Sequence, residues 1–224
     1  MTVANQRDYL ADVVRVMLAQ WPDPLNRTLN IVCHGHSVPA GYFATPTVDT
    51  FNAYPHLLHA GLKQRFPSSV VNVIVTAVGG ETSVTGAARF EAEVLCHRPD
   101  VLTIDYSLND RGIGLAAAER AWREMIELAT ARGVKVILLT PTPDVSGLRN
   151  PNAPDWLALQ EHANQVRRLA AEFGVGLVDS LGAFASYAES GGDLTDLLSW
   201  PNHPNRRGHE IVARLLLRWL AILS

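Results

Sequence analysis

Four polar positions along the chain, Ser37, Gly80, Asn109 and His203, could together perform acyl transfer. A serine hydroxyl attacks an ester carbonyl once a base takes its proton, and a histidine suits that role. The carbonyl oxygen then becomes an oxyanion, which needs preorganised hydrogen-bond donors. Three donors are available here: the backbone N–H groups of Ser37 and Gly80 and the side-chain amide of Asn109. A glycine also lets the backbone approach a substrate closely, because it carries no Cβ.

Three of these residues follow segments that are predicted to be buried strands, because their apolar and β-branched residues favour extended chain. The strand segments are residues 29–33 before Ser37, 70–75 before Gly80 and 101–106 before Asn109. Parallel strands gather their carboxyl ends at one edge of a sheet, where ligands bind. Taken singly, each residue has an ordinary explanation: Ser37 could cap a helix, and Gly80 and Asn109 could serve tight turns. Because all three occur together with His203, a catalytic role is favoured over these ordinary explanations.

Strands that alternate with helices organise the whole chain. Two further strands are predicted at 134–140 and 175–178, and helical spacing of apolar residues predicts helices at 5–20, 54–67, 86–97, 115–131, 155–173 and from 205 onward. Such alternation indicates βαβ units with right-handed crossovers. We therefore expect an α/β protein, with a five-stranded parallel sheet between two helical layers. No linker, repeat or low-complexity segment divides residues 1–224, which are predicted to form a single domain.

Composition excludes several classes of function. The chain has 224 residues, of which 47% are hydrophobic and 18% charged, so intrinsic disorder is not expected. A net charge of −3 does not indicate the basic surface that a nucleic-acid-binding protein needs. Cys33 and Cys96 do not indicate a disulfide framework, and neither a secretory signal nor a membrane span is predicted, so a cytoplasmic protein is expected. His56 and His59 are one helical turn apart but have no apparent third ligand, so no metal or other cofactor is expected.

Four short blocks resemble those of the GDSL or SGNH hydrolases. The blocks are Gly35-His36-Ser37, Val78-Gly79-Gly80-Glu81-Thr82, Ser107-Leu108-Asn109-Asp110 and His203-Pro204-Asn205. They occur in the family's order, and each is short, so order and spacing carry the resemblance. It implies a flavodoxin-like sandwich with strand order 2-1-3-4-5 and an esterase or lipase-like activity that needs no metal. It also implies that Ser37, Gly80, Asn109 and His203 are the catalytic residues.

The sequence departs from the family pattern at two positions. His36 replaces the aspartate that usually precedes the serine, a change that concerns the geometry of the turn more than the chemistry. Trp200 stands three residues before His203, where the family usually has the aspartate that orients the histidine. Two alternatives follow from this second departure. Either a backbone carbonyl near Trp200 holds the imidazole, giving a Ser–His dyad, or Asp193 or Asp196 folds back to hold it.

Two functional hypotheses remain at this point. The first is a serine esterase for short acyl groups, such as an acetyl group on a sugar, because Trp200, Arg149 and a polar loop suit a ring-shaped, polar substrate better than a lipid chain. Trp200, His36 and Arg149 are the residues expected to bind the substrate. The second hypothesis is a non-catalytic binding protein that kept the fold after losing the acid. A small ester is the expected partner, and the sequence does not indicate an oligomeric state.

Overall fold

The computed structural model describes residues 2–222, and the side chain of Arg149 lies outside this description. Five parallel strands form the central sheet in the order β2-β1-β3-β4-β5. The strands are β1 (Leu29–Gly35), β2 (Val71–Val75), β3 (Val101–Asp105), β4 (Lys135–Leu139) and β5 (Gly176–Val178). The chain places β2 on one side of β1 and then crosses to β3 on the other, so the crevice beyond the carboxyl end of β1 is a natural ligand site. The predicted fold class and strand order are confirmed.

Helices cover both faces of this sheet. They are α1 (Ala11–Leu18), α2 (Ser37–Ala40), α3 (Tyr54–Arg65), α4 (Ser83–Ala88), α5 (Phe90–Glu93), α6 (Ser107–Asp110), α7 (Leu115–Thr130), α8 (Ser146–Arg149), α9 (Pro154–Phe173), α10 (Ser180–Glu189) and α11 (Arg206–Trp219). A short antiparallel pair, β6 (Leu198–Trp200) and β7 (His203–Pro204), precedes α11. The segment 181–204 therefore contains most of α10 and this hairpin.

The core has two halves, one on each side of the sheet. Along β1, Ile31 and Cys33 face one half and Val32 faces the other, because successive side chains of a strand point in opposite directions. Helices α1, α3, α10 and α11 pack on the first face, α4, α5 and α7 pack on the second, and α9 contributes to both. This packing holds the carboxyl end of β1 rigidly in the middle of the molecule.

One strand differs from its expected environment. The apolar run before Gly80 predicts burial on both faces, but β2 is an edge strand. Val71 is buried, Val73 and Ile74 are half-buried, and Val75 is 39% exposed. An edge strand has a neighbour on one side only, so side chains at its free border remain partly in water.

The helix predicted at 86–97 is wrong in its bounds and its continuity. Helix α4 begins at Ser83, where a capping box between Thr82 and Thr85 satisfies the first backbone N–H groups. At Arg89 the backbone leaves helical geometry, and the chain restarts as α5 and then a 3₁₀ turn. The side chain of Arg89 turns back to Glu81 and to the carbonyl of Thr76, so the break coincides with an interaction that reaches the site described below.

Two features of the described residues bear on function classes. No helix within 2–222 is both long and apolar enough to cross a lipid bilayer. In the same part of the chain, no three His, Cys, Asp or Glu side chains converge in a way that could hold a metal ion. His56 and His59 on α3 accordingly have no third ligand beside them among these residues.

Candidate active site

Ser37 is the first residue of α2, directly beyond the carboxyl end of β1. The turn depends on Gly35, because a Cβ at that position would lie 2.4 Å from the backbone oxygen of Asp105. The next residue, His36, donates its own N–H to that same oxygen at 3.1 Å. These contacts fix the chain against β3 and bring Ser37 to the sheet edge, where it is 7% exposed.

His203 reaches Ser37 from the short β6–β7 hairpin. The distance between its Nε2 and Ser37 Oγ is 2.9 Å, and its Nδ1 lies 2.7 Å from the backbone oxygen of Phe43. A carbonyl can only accept a hydrogen bond, so Nδ1 carries the ring proton and Nε2 is the acceptor. The Ser37 hydroxyl can therefore donate its proton to Nε2, which is the arrangement that a general base requires.

The group that orients His203 differs from both expected alternatives. Asp193 caps the following 3₁₀ turn through the N–H of Thr195. Asp196 lies 3.4 Å from the hydroxyl of Tyr187. Neither carboxylate makes a hydrogen bond with His203 within the described residues. A backbone carbonyl does hold the ring, as one alternative proposed, but it belongs to Phe43 and not to the neighbourhood of Trp200.

The Phe43 carbonyl is held in place by a tight loop after α2. The N–H of Phe43 donates to the oxygen of Thr47 at 3.0 Å, and the N–H of Thr47 donates to the oxygen of Ala44 at 2.8 Å. The ring of Phe43 packs on the buried imidazole of His209, with ring centroids 5.1 Å apart. Ser37 and the carbonyl that holds the His203 ring thus come from the same short stretch of chain.

The surroundings of His203 favour its neutral form. Burial lowers the pKa of the imidazole, the hydrogen bond to the Phe43 carbonyl opposes this effect, and the nearby His36 adds to the lowering. The net direction is below the usual value of about 6.5 for a histidine. A neutral imidazole is the form that can accept the serine proton.

The hairpin that carries His203 is anchored to α11 through Asn205. Its side-chain oxygen accepts the Gly208 N–H at 3.2 Å, which caps the helix. Its amide nitrogen donates to the oxygen of Asp196 at 2.8 Å. The cap therefore fixes the residues on both sides of His203.

Gly80 and Asn109 lie at the same sheet edge as Ser37. Gly80 is exposed and has φ +79°, a conformation that side-chain-bearing residues rarely adopt. A Cβ built there would meet no described atom within 4 Å, so the space above it is open. Asn109 is half-buried, and its Nδ2 donates to the backbone oxygen of Glu81 at 2.9 Å. This bond uses one of the two amide hydrogens and leaves the other available.

A buried ionic network holds the residue next to Gly80. The guanidinium of Arg89 contacts both oxygens of the Glu81 carboxylate, at 2.7 and 2.5 Å, and the Tyr106 hydroxyl donates to it at 2.7 Å. Burial alone would raise the pKa of Glu81, but the hydrogen bonds from Arg89 and Tyr106 outweigh it and hold that pKa below its ordinary value. The carboxylate is therefore ionised, and it ties Gly80 to β3 and α4.

His34 and Gly86 complete this network. The hydroxyl of Tyr106 lies 3.0 Å from Nε2 of His34, whose Nδ1 lies 3.0 Å from Thr76 Oγ1. Burial, with the charge of Arg89, lowers the pKa of His34 to about 4, so the ring is neutral near pH 7. Gly86 is needed because a Cβ there would come within 2.2 Å of the Tyr106 hydroxyl. The sequence analysis did not find Arg89 or Tyr106, because no local pattern indicates that their side chains meet at Glu81.

Asp110, next to Asn109, joins two helices below the site. Its carboxylate accepts the Ser83 N–H at the start of α4 and the indole N–H of Trp122 on α7, both at 2.8 Å. Burial raises the pKa of Asp110, and these two donors oppose the shift. Asn109 is thereby fixed from below as well as through Glu81.

Comparison with known proteins now identifies the family. The sequence profile of the GDSL-like Lipase/Acylhydrolase family matches residues 33–211, which include Ser37, Gly80, Asn109 and His203. The chain belongs to this family. This GDSL-like acylhydrolase is therefore an ester hydrolase, as the sequence resemblance implies.

Its relatives include acetyl ester hydrolases. An acetylxylan esterase from Geobacillus stearothermophilus is 26% identical over 170 residues, which are 70% of this chain and 75% of that protein. A crystal structure of an acetylxylan esterase from the same organism superposes with a TM-score of 0.75, at 22% identity, covering 87% of this chain and 95% of that one. A two-domain esterase active on acetylated mannans superposes with a TM-score of 0.73 at 22% identity, covering 98% of this chain and 54% of that one. The structural matches support the fold.

The three residues expected to bind the substrate of this acylhydrolase differ in their exposure to solvent. Trp200 lies at the end of β6 and is 48% exposed, so its ring is available to a ligand. The next residue, Pro201, accepts the N–H of Val145 at 2.8 Å, which ties the Trp200 segment to the loop before α8. The side chain of Arg149 is outside the described part of the structure, so its expected role stays a prediction. His36 is 1% exposed, and its Nδ1 lies 3.3 Å from Ser37 Oγ, so its expected role in substrate binding stays a prediction.

Proposed function

We propose that this acylhydrolase removes short acyl groups, acetyl above all, from a carbohydrate, with Ser37 and His203 as its catalytic dyad. The observation that carries the proposal is the line of hydrogen bonds from Ser37 Oγ through the His203 ring to the Phe43 carbonyl, with distances of 2.9 and 2.7 Å. It provides a nucleophile, a base in the correct tautomer and a fixed orientation. These are the elements that a serine hydrolase needs.

In the first half of the reaction, His203 Nε2 takes the Ser37 proton as Oγ attacks the ester carbonyl. The tetrahedral intermediate places its negative oxygen near the N–H of Gly80 and the free amide hydrogen of Asn109, with the Ser37 N–H as a third donor. The intermediate collapses when the imidazolium returns the proton to the leaving alcohol oxygen. The acyl group is then bonded to Ser37 Oγ, and the alcohol departs.

In the second half, a water molecule takes the place of the alcohol. His203 accepts a proton from this water, which attacks the acyl carbonyl, and the same donors hold the new oxyanion. Collapse releases the carboxylic acid and returns the proton to Ser37. The neutral Phe43 carbonyl keeps the imidazole in the required tautomer in both halves, although it stabilises the imidazolium less than a carboxylate would.

Two features support a carbohydrate acetyl ester as the substrate. The relative with 26% identity is an acetylxylan esterase. The exposed indole of Trp200 offers an apolar face on which a sugar ring can stack. We expect turnover to be highest with acetyl esters and to fall as the acyl chain grows, which a series of nitrophenyl esters would measure. A preference for octanoyl over acetyl esters would contradict the proposal.

The alternative function, a non-catalytic binding protein, is not favoured by the family match. A fluorophosphonate probe separates the two, because it labels only an activated serine. We expect labelling at Ser37 and its loss in Ser37→Ala. Ser180→Ala is the matched control, since Ser180 is also buried at the first turn of a helix that follows a strand. We expect Ser37→Ala to fold and to lose at least about a thousandfold in kcat on acetylated xylo-oligosaccharides. Activity close to that of Ser180→Ala would refute the proposal.

A further inference from the structure

Two imidazole rings approach the Ser37 hydroxyl, and the dyad uses only one of them. Nε2 of His203 lies 2.9 Å from Ser37 Oγ, and Nδ1 of His36 lies 3.3 Å from the same atom. His36 is 1% exposed, below the serine, so it cannot hand a proton to a leaving group in the crevice. Its role must therefore be sought in how it holds Ser37.

A contact with the neighbouring backbone shows which nitrogen of His36 carries the proton. The N–H of Val38 donates to Nδ1 at 3.2 Å, which caps the first turn of α2. A backbone N–H can only donate, so Nδ1 contributes a lone pair and the proton of the neutral ring resides on Nε2.

Nε2 of His36 faces a buried carboxylate. The distance from Nε2 to Asp105 Oδ1 is 3.4 Å, and the two side chains are 1% and 4% exposed. The two atoms are within ion-pair distance, but among the described residues neither forms a hydrogen bond with any group. A buried polar atom left without a partner costs about 1–3 kcal/mol, so a small adjustment that turns this contact into a hydrogen bond is favourable for both atoms.

We propose that Asp105 is a positioning residue, which keeps the proton of His36 on Nε2. Nδ1 can then accept the Val38 N–H, and it does not donate to the Ser37 hydroxyl, whose only acceptor among the two rings is then His203. In the opposite tautomer, a proton on Nδ1 would face the Val38 N–H. It would also donate to Ser37 Oγ and engage the lone pair that attacks the ester. This inference rests on the proposed function, because it assigns the pair a task in serving the nucleophile.

A double-mutant cycle tests the proposal. Asp105→Asn keeps the size of the side chain but replaces an obligate acceptor by a group that can also donate to Nε2. We expect kcat to fall by about 10–100-fold with KM nearly unchanged, the scale seen when the hydrogen-bond partner of a metal-ligating histidine is removed.

The second arm of the cycle uses His36→Asn. The Oδ1 of asparagine can accept the Val38 N–H, and because asparagine has no tautomers, this bond does not depend on where a proton lies. In that background the Asp105→Asn change should alter kcat by less than about twofold, because the two residues act as one unit. An equal loss of kcat on Asp105→Asn in the wild-type and His36→Asn backgrounds would mean that Asp105 only supports the fold, which would overturn the proposal. No loss of kcat in the wild-type background would overturn it as well.

Nitrogen NMR of the imidazole rings provides a measurement that does not depend on activity. The His36 signals, assigned by their absence in His36→Asn, should show the proton on Nε2 in the wild-type protein and in Ser37→Ala. Asp105→Asn should shift them toward the other tautomer. A wild-type ring with its proton on Nδ1 would overturn the inference. Full activity of Ser37→Ala would instead refute the proposed function, and the two failures are therefore distinguishable.

Discussion

The side chain of Asn109 is expected to have two separable roles, and truncation to alanine would expose both. One amide hydrogen is bound to the Glu81 oxygen at 2.9 Å, which supports the fold. The other is proposed to bind the oxyanion, an interaction made mainly in the transition state. Loss of one such donor costs about 2.7–4 kcal/mol of barrier, so Asn109→Ala should lower kcat about 10²–10³-fold with little change in KM.

The structural role predicts a much smaller effect on stability. Loss of one partly exposed hydrogen bond costs about 1 kcal/mol, equivalent to about 2–4 °C in Tm for a chain of this size. Asn26→Ala is the matched control, because its amide also donates to a backbone oxygen, that of Ala19 at 2.8 Å, but far from the site. Asn26→Ala should lower Tm by a similar amount and leave kcat unchanged.

The assay is initial-rate hydrolysis of an acetyl ester over a range of concentrations, with thermal unfolding of the same samples. Asn109→Asp is a second variant that keeps the size of the side chain and removes both donors, and it should lose at least as much kcat as Asn109→Ala. The reasoning would be refuted if KM alone rose in Asn109→Ala, because Asn109 would then bind the substrate in its ground state. A kcat within about threefold of the wild type would refute it as well.

Three further predictions concern the remaining parts of the site. Burial lowers the pKa of His203, and the proposed mechanism needs its neutral form, so kcat/KM should stay high as the pH falls and decline only below about 6.5. A decline centred well above this value would contradict the assignment. Asp193→Asn and Asp196→Asn should each keep activity within about threefold in the same pH–rate experiment, whereas a loss near 10⁴-fold in either would show that it is the orienting acid. Gly86→Ala should lower the free energy of unfolding by about 1–3 kcal/mol in urea, because its Cβ would collide with the Tyr106 hydroxyl, and Gly112→Ala, whose Cβ would meet only an ordinary contact, should be nearly neutral.

The sequence by itself determined the layered fold and the order of the site residues. Short runs of apolar, β-branched residues indicate buried strands. In a parallel sheet, the polar residue after each run lies at the carboxyl edge. Ser37, Gly80 and Asn109 could be placed in this way because their positions depend on local pattern and on general rules of chain connection. The edge position of β2 was not apparent, because its sequence is as apolar as that of a central strand.

The tertiary structure alone decided what orients His203 and where His36 points. Every residue carries a backbone carbonyl, so nothing in the sequence marks that of Phe43, which lies 160 positions from His203. The residue before the serine is visibly a histidine, but only the fold shows that its buried ring lies against the Val38 N–H and beside Asp105 at the end of β3. Both arrangements arise where segments distant in sequence meet at the end of β1. Their hydrogen-bond partners are therefore chosen by packing geometry, which residue type and local periodicity do not contain.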